Sequence, residues 1–170
     1  MELATKLICG KMGWPSGLRG DDVLEQIVGV DLGGTKFLMV CGDEVHQIRT
    51  GRGFSPQDLE SNLKEFIAKL RAPPTGIGIA LPGLVQGAER VVSCDVLPKM
   101  TGWSAAASFK GATCRIVVVN DVKAALAEEI HYAAPGITAG IVMVGTAVGA
   151  IKTSAATRGP TLRSFIDTSP

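Results

Sequence analysis

The residues best equipped for chemistry lie together in Asp31-Leu32-Gly33-Gly34-Thr35-Lys36. Two glycines offer bare backbone N–H groups that a phosphate can approach closely, while Thr35 adds a hydroxyl and Lys36 a positive charge. Asp31 can hold a magnesium ion through water, or orient a phosphoryl group. The same letters also suit a plain hairpin, because Gly-Gly is a standard two-residue turn. A Walker-type loop is excluded, since it needs Gly-Lys-Ser/Thr opening a helix, and here Thr35 precedes Lys36 and an apolar run follows. Nor is Gly76 to Leu81, GIGIAL, a dinucleotide fingerprint, for it lacks the third glycine and opens no helix.

Asn120-Asp121 follows the continuous apolar run Ile116 to Val119. An acid at the carboxyl end of a central parallel strand faces the crevice where such sheets bind ligands. There Asp121 can accept the proton of an attacking hydroxyl, and Asn120 can bond a neighbouring one. The rival reading is a helix cap, the commonest job of Asn and Asp. Gly145-Thr146-Ala147-Val148-Gly149 is a second glycine-rich turn after an apolar run, either a second phosphate contact or a simple turn. Pro82-Gly83 and the loop Ser93 to Trp103 can wall a small polar ligand. Trp103 can cover the apolar face of a sugar, but burial in the core is the expectation. His46 and His131 read as surface residues, and Glu128 and Glu129 as solvated helix residues.

The elements that position these groups follow from pattern. Ile27 to Val30 and Phe37 to Cys41 read as strands, Gly42-Asp43 as a hairpin turn, and Glu44 to Thr50 as a weaker strand with one wet face. Ser55-Pro56 opens a helix, serine as cap and proline where its missing N–H costs nothing. Leu59, Leu63, Phe66, Ile67 and Leu70 share one face of it, with Glu60–Lys64 and Glu65–Lys69 as i,i+4 pairs on the other. Gly76 to Ala80 is a buried strand, residues 84–102 mostly loop, and a short helix follows Ser104. Ile116 to Val119 is a central strand leading into a helix to about Tyr132, with Val122, Leu126 and Ile130 buried. Ile137 to Val144 is a final strand. The sum is an α/β domain with a five-stranded mixed sheet.

Composition supports a folded core, with 46% apolar and 19% charged residues among 170. The net charge of +1 offers no basic excess to invite nucleic acid or an anionic membrane, and 5% aromatics argue against stacking platforms. No run approaches the roughly 20 apolar residues of a membrane helix, and no apolar leader core follows the N-terminal charges. The four cysteines, Cys9, Cys41, Cys94 and Cys114, form no CxxC pair. That argues against zinc and disulfide frameworks and fits a reducing cytoplasm.

Taken in order, VGVDLGGTK, GIGIALPGLV, the loop ending in Gly102-Trp103, VVVNDVKAALAEE and GTAVGA resemble the ROK family of sugar kinases, with the actin/hexokinase-type (ribonuclease H-like) ATPase fold. The resemblance spans Ile27 to Ala150. It implies ATP-dependent phosphorylation of a hexose, glucose first, with Mg²⁺. Asp31, Gly33, Gly34, Thr35 and Lys36 would contact the ATP phosphates, joined by Gly145, Thr146 and Gly149 from a second domain. Gly83, Asn120 and Asp121 would hold the sugar, with Asp121 as the catalytic base. The alternative within the family is a sugar-binding or regulatory protein without catalysis, although residues 1–26 are too short and glycine-rich for a helix-turn-helix.

The sequence departs from the family pattern at Ala147, where a glycine is usual, and after Ala150, where the sugar-binding GExGH-like segment and the zinc-binding cysteine cluster do not appear. The expected organisation is an irregular extension over 1–26, a first kinase domain over 27–134, the start of a second over 135–150, and a divergent tail over 151–170 without regular structure. The expected result is a shortened form with little activity alone, a final strand without a partner from its own sheet, and a tendency to self-associate or form a homodimer.

Overall fold

The computed structural model describes residues 26–131, 138–144 and 148–154. Outside them lie residues 132–137 (the expected helix end at Tyr132 and strand start at Ile137 among them), Gly145, Thr146 and Ala147, the extension before residue 26, the tail beyond residue 154 and the side chains from Glu128 to His131.

The chain begins as a meander. Strands β1 (Ile27–Leu32), β2 (Lys36–Cys41) and β3 (Glu44–Arg49) pair antiparallel in sequence. β1 is buried along nearly its whole length, which is why its sequence shows no alternation. β2 alternates instead, with Phe37, Met39 and Cys41 inward. β3 is largely exposed, as a sheet edge should be. Gly42 takes φ 55° in the turn between β2 and β3, a conformation glycine adopts without steric cost.

Helix α1 (Pro56–Lys69) starts where expected. The Ser55 N–H donates to Asp58 Oδ2 at 2.8 Å and the Asp58 N–H donates to Ser55 Oγ at 3.3 Å, closing a reciprocal capping box. Its buried face carries Leu59, Leu63 and Phe66, each stabilising the fold by about 1.5–3 kcal/mol through burial. Phe54, just before the cap, meets Phe37 edge-on with ring centroids 5.4 Å apart. Lys69 pairs with Glu65 at 2.7 Å, whereas the expected Glu60–Lys64 pair does not form.

After α1 come β4 (Gly76–Leu81), β5 (Leu84–Gln86), β6 (Arg90–Ser93), a single 3-10 turn at Pro98–Met100, α2 (Ala105–Ser108), β7 (Arg115–Asn120), α3 (Asp121–His131), β8 (Thr138–Val144) and β9 (Val148–Ser154). β4 runs parallel to β1, and β7 parallel to β4. The main sheet is five-stranded and mixed, in the order β3-β2-β1-β4-β7, as the sequence predicts.

Besides β7, expected at the centre of the sheet but lying at its edge among the described strands, two expectations are corrected. Residues 84–102 are not mostly loop, because β5 and β6 form an antiparallel hairpin there. Its tip holds Ala88 at φ 58°, and the Ala88 carbonyl accepts the Val118 N–H of β7 at 2.8 Å. The second correction concerns the last strand and the tail. β8 does find a partner, pairing antiparallel with β9 in the register Ile141↔Ile151. Regular structure therefore runs to Ser154, and Gly149 sits within β9 rather than in the preceding turn. The β8–β9 hairpin lies against α3.

Candidate functional site

Parallel pairing brings the candidate residues to one end of the sheet. Asp31 on β1 is level with Ala80 on β4, and Leu81 is level with Asn120 on β7. The carboxyl ends of the three strands therefore present Asp31, Pro82-Gly83 and Asn120-Asp121 side by side. Such a strand edge is where open α/β sheets bind their ligands.

The turn between β1 and β2 is built differently from the Gly-Gly hairpin the sequence suggests. Its corner is Gly34-Thr35, with the Gly33 N–H donating to the Lys36 carbonyl at 2.8 Å. Neither Gly33 nor Gly34 has a positive φ, and a Cβ on Gly33 would meet only the Lys36 carbonyl, at an ordinary 3.5 Å. Backbone conformation does not demand a glycine at either position, nor does internal crowding at Gly33. Thr50, just past β3, ties the turn down: its hydroxyl donates to the Gly33 carbonyl at 2.7 Å and its N–H to the Thr35 carbonyl at 3.1 Å. Among the described residues, the N–H groups of Gly34 and Thr35 donate to no protein acceptor. The turn thus engages three of its carbonyls internally and leaves two adjacent donors unused. Lys36 Nζ lies 3.3 Å from Asp31 Oδ2, both side chains about half exposed.

Asn120 and Asp121 divide two jobs the sequence left open. Asn120 Oδ1 accepts the Lys123 N–H at 3.1 Å, the bond of a helix cap, and its Nδ2 donates to the Gly83 carbonyl at 3.0 Å. Asp121 is released from capping. Its Oδ1 accepts the adjacent Val122 N–H at 2.8 Å. Burial pushes its carboxyl above the usual range and the negative charge of Asp31 adds to the rise, while the Val122 N–H opposes it. A carboxylate made more basic by its surroundings suits proton abstraction near neutral pH.

Gly83 is a glycine by necessity. Its φ is +143°, and a Cβ there would lie 2.5 Å from the Ser93 carbonyl oxygen. It buttresses Asn120 through its carbonyl. Cys94 closes the same corner, its thiol donating to the Pro82 carbonyl and its N–H to Thr101 Oγ1 at 3.0 Å. Burial pushes that thiol up, so Cys94 stays protonated. Trp103 is buried, donating from Nε1 to Ser108 Oγ at 2.8 Å and packing edge-on against Phe109. It takes the core position expected of it. From the sequence, Thr50 is only the end of a strand and Cys94 only one of four cysteines that form no CxxC pair, and neither is marked as a support of the site. A threonine ending a strand and an isolated cysteine carry no local signal of the turns they hold.

Asp31 is the carboxylate beside the turn, and the described residues contain no group of three or more His, Cys, Asp or Glu placed to hold a metal. That donor set fits an ion carried mainly by water and nucleotide phosphates, as Mg²⁺ commonly is, rather than a protein cage. No helix among the described residues is long and apolar enough to cross a membrane.

The mixed sheet, with its antiparallel meander followed by parallel strands that gather these residues at one edge, defines a domain of the hexokinase-type α/β fold. The chain belongs to the ROK family, whose sequence profile matches residues 27–157. No curated protein sequence matches it significantly. Among solved structures, it is similar to a ROK family glucokinase from Streptomyces griseus in complex with glucose and AMPPNP. That match has a TM-score of 0.60 and 18% identity, covering 79% of this chain and 45% of that one. The ROK hexokinase from Thermus thermophilus matches at TM-score 0.55 and 20% identity, over 76% and 47% of the two chains. A ROK family transcriptional regulator, homologue of the E. coli MLC protein, matches at 0.57 and 21%, over 85% and 42%. The chain therefore spans less than half the length of each of these structures.

Proposed function

We propose that this chain carries the sugar side, and one of two phosphate-binding sides, of an ATP-dependent hexose kinase site, with glucose as the first candidate substrate. The observation that supports this best is the Gly33–Lys36 turn, with unused N–H donors at Gly34 and Thr35 and with the Lys36 ammonium paired to Asp31 at its base. Such a cradle suits a phosphate. In this reading Asp31, Gly33, Gly34, Thr35 and Lys36 face the ATP phosphates, and Gly145, Thr146 and Gly149 approach them from the opposite side. Asp31 would hold Mg²⁺ through water, and the ion would offset phosphate charge. Gly83 and Asn120 shape the sugar site.

Asp121 takes the proton as a sugar hydroxyl oxygen attacks the γ-phosphorus. The bond from that phosphorus to the β–γ bridging oxygen breaks, and ADP leaves. The raised basicity of Asp121 favours this transfer, and most of the remaining catalysis is positioning and charge stabilisation. A second reading, a non-catalytic sugar-binding or regulatory protein, is favoured by the similarity to a ROK transcriptional regulator.

Calorimetry with glucose, followed by long incubation with glucose and MgATP, separates the two. The expected result is saturable glucose binding and slow hexose phosphate formation that Asp121→Asn abolishes. Turnover of the 170-residue polypeptide should stay far below the 1–10³ s⁻¹ typical of enzymes, about what half a clamp would give. Glucose binding without any hexose phosphate would favour the second reading. No glucose binding would overturn both.

A further inference from the structure

We propose that Thr50 is a positioning residue for polyphosphate binding. It holds the turn between β1 and β2 in an arrangement that presents two donors and ties back two carbonyls. This rests on the phosphate reading of that turn.

A polyanion is drawn to N–H groups and repelled by carbonyl oxygens, so a phosphate-binding turn needs its carbonyls directed elsewhere. Three carbonyls are engaged internally here. The Gly33 N–H takes that of Lys36 at 2.8 Å. Thr50 takes the other two, reaching Gly33 with its hydroxyl at 2.7 Å and Thr35 with its N–H at 3.1 Å. The two carbonyls flank Gly34, and the unused N–H groups belong to Gly34 and Thr35. One residue therefore fixes the Gly33–Gly34 peptide, which carries the first donor, and the Thr35–Lys36 peptide, which follows the second. Because neither glycine of the turn sits at positive φ, backbone preference alone does not lock this geometry. The Thr50 bonds supply the lock. Thr50 itself is only partly buried and follows the edge strand β3, so its place in the sequence offers no packing reason for a hydroxyl.

The test is an NMR titration of the ¹⁵N-labelled chain with inorganic triphosphate, a probe that needs no nucleoside pocket. In the wild type the Gly34 and Thr35 amide signals should shift and saturate. Thr50→Val keeps the N–H bond and the shape but removes the hydroxyl, and should weaken triphosphate binding roughly five- to tenfold. Thr50→Ser restores the hydroxyl and should bind within about twofold of wild type. Should valine disturb the strand end, Thr50→Ala removes the same hydroxyl with less bulk and must weaken binding equally. The remaining amide signals report that the fold is intact, so a merely structural loss is visible as such. Wild-type affinity in both the valine and alanine variants overturns the role of Thr50 alone. So does serine binding as weakly as valine, which would implicate the methyl group. The absence of any saturable shift in the wild type overturns this role and the phosphate reading together.

Discussion

Replacing Gly83 with alanine should be among the most damaging single-methyl changes in the domain, and its cost can be built from the structure. The residue sits at φ +143°, and an added Cβ would lie 2.5 Å from the Ser93 carbonyl oxygen and 3.2 Å from the Cys94 Cβ. The first contact is with backbone, so no rotamer change relieves it. Holding a non-glycine residue in such a conformation costs about 1–3 kcal/mol. Relief by backbone movement would break the Asn120–Gly83 hydrogen bond of 3.0 Å, worth about 1 kcal/mol. The expected loss is about 3 kcal/mol in all, read by urea denaturation with circular dichroism. A double-mutant cycle sharpens the claim. Asn120→Ala alone loses both the Gly83 link and the bond to the Lys123 N–H, about 2 kcal/mol. In the Gly83→Ala background the link is already broken, and the same change should cost only about 1 kcal/mol. A Gly83→Ala protein within about 0.5 kcal/mol of wild type would refute the steric account. A cycle additive to about 0.5 kcal/mol would refute the link between Gly83 and Asn120.

Two further outcomes follow from the same site and its support. The folded-state pKa of Asp121 is raised, chiefly by burial, so the folded chain holds that proton more tightly than the unfolded one. Its contribution to stability is fully present below the unfolded carboxyl pKa and is lost as pH rises through the folded value. Asp121→Asn, which does not titrate, should therefore melt higher than wild type at neutral pH, with the gap closing on acidification, and under the proposed kinase reading it should cost roughly 10²–10⁴-fold in phosphoryl transfer, enough to take slow product formation below detection. A gap that widens with acid would contradict this. At the start of α1, Ser55→Ala removes the hydroxyl of the capping box and should cost about 1 kcal/mol in thermal unfolding, while Ser55→Gly should recover most of it.

Much of the scaffold was legible because local pattern and tertiary context agree. The cap at Ser55, the stripe Leu59-Leu63-Phe66 and the buried run from Gly76 to Ala80, which the structure extends to Leu81, each read the same way at both levels. The β5–β6 hairpin was not legible. Its strands are three and four residues long, and Val91 is its one fully buried side chain, so no period of two emerges. Its tip takes positive φ at both Gly87 and Ala88, and alanine is not a usual residue there. β9 was missed because it finds its partner in the hairpin with β8, and neither strand needs a place in the main sheet. At the site, residue types marked Asp31 and Asp121, but the assignment of capping to Asn120 needed geometry. The same holds for Thr50, whose two acceptors lie 17 and 15 residues back along the chain.

The joint between Ala88 and Val118 is made wholly of main-chain atoms, a carbonyl meeting an N–H at 2.8 Å across two elements distant in sequence. No particular side chain encodes it. The hairpin tip is therefore free to drift in sequence provided its backbone keeps the left-handed step at Ala88. Glycine or asparagine there would be accepted readily, while valine or proline would prise the hairpin from β7. Such a seam is hereditary without being spelled out. Chains sharing it need have no letters in common at those positions, and a change that breaks it would look innocuous until the sheet edge was seen.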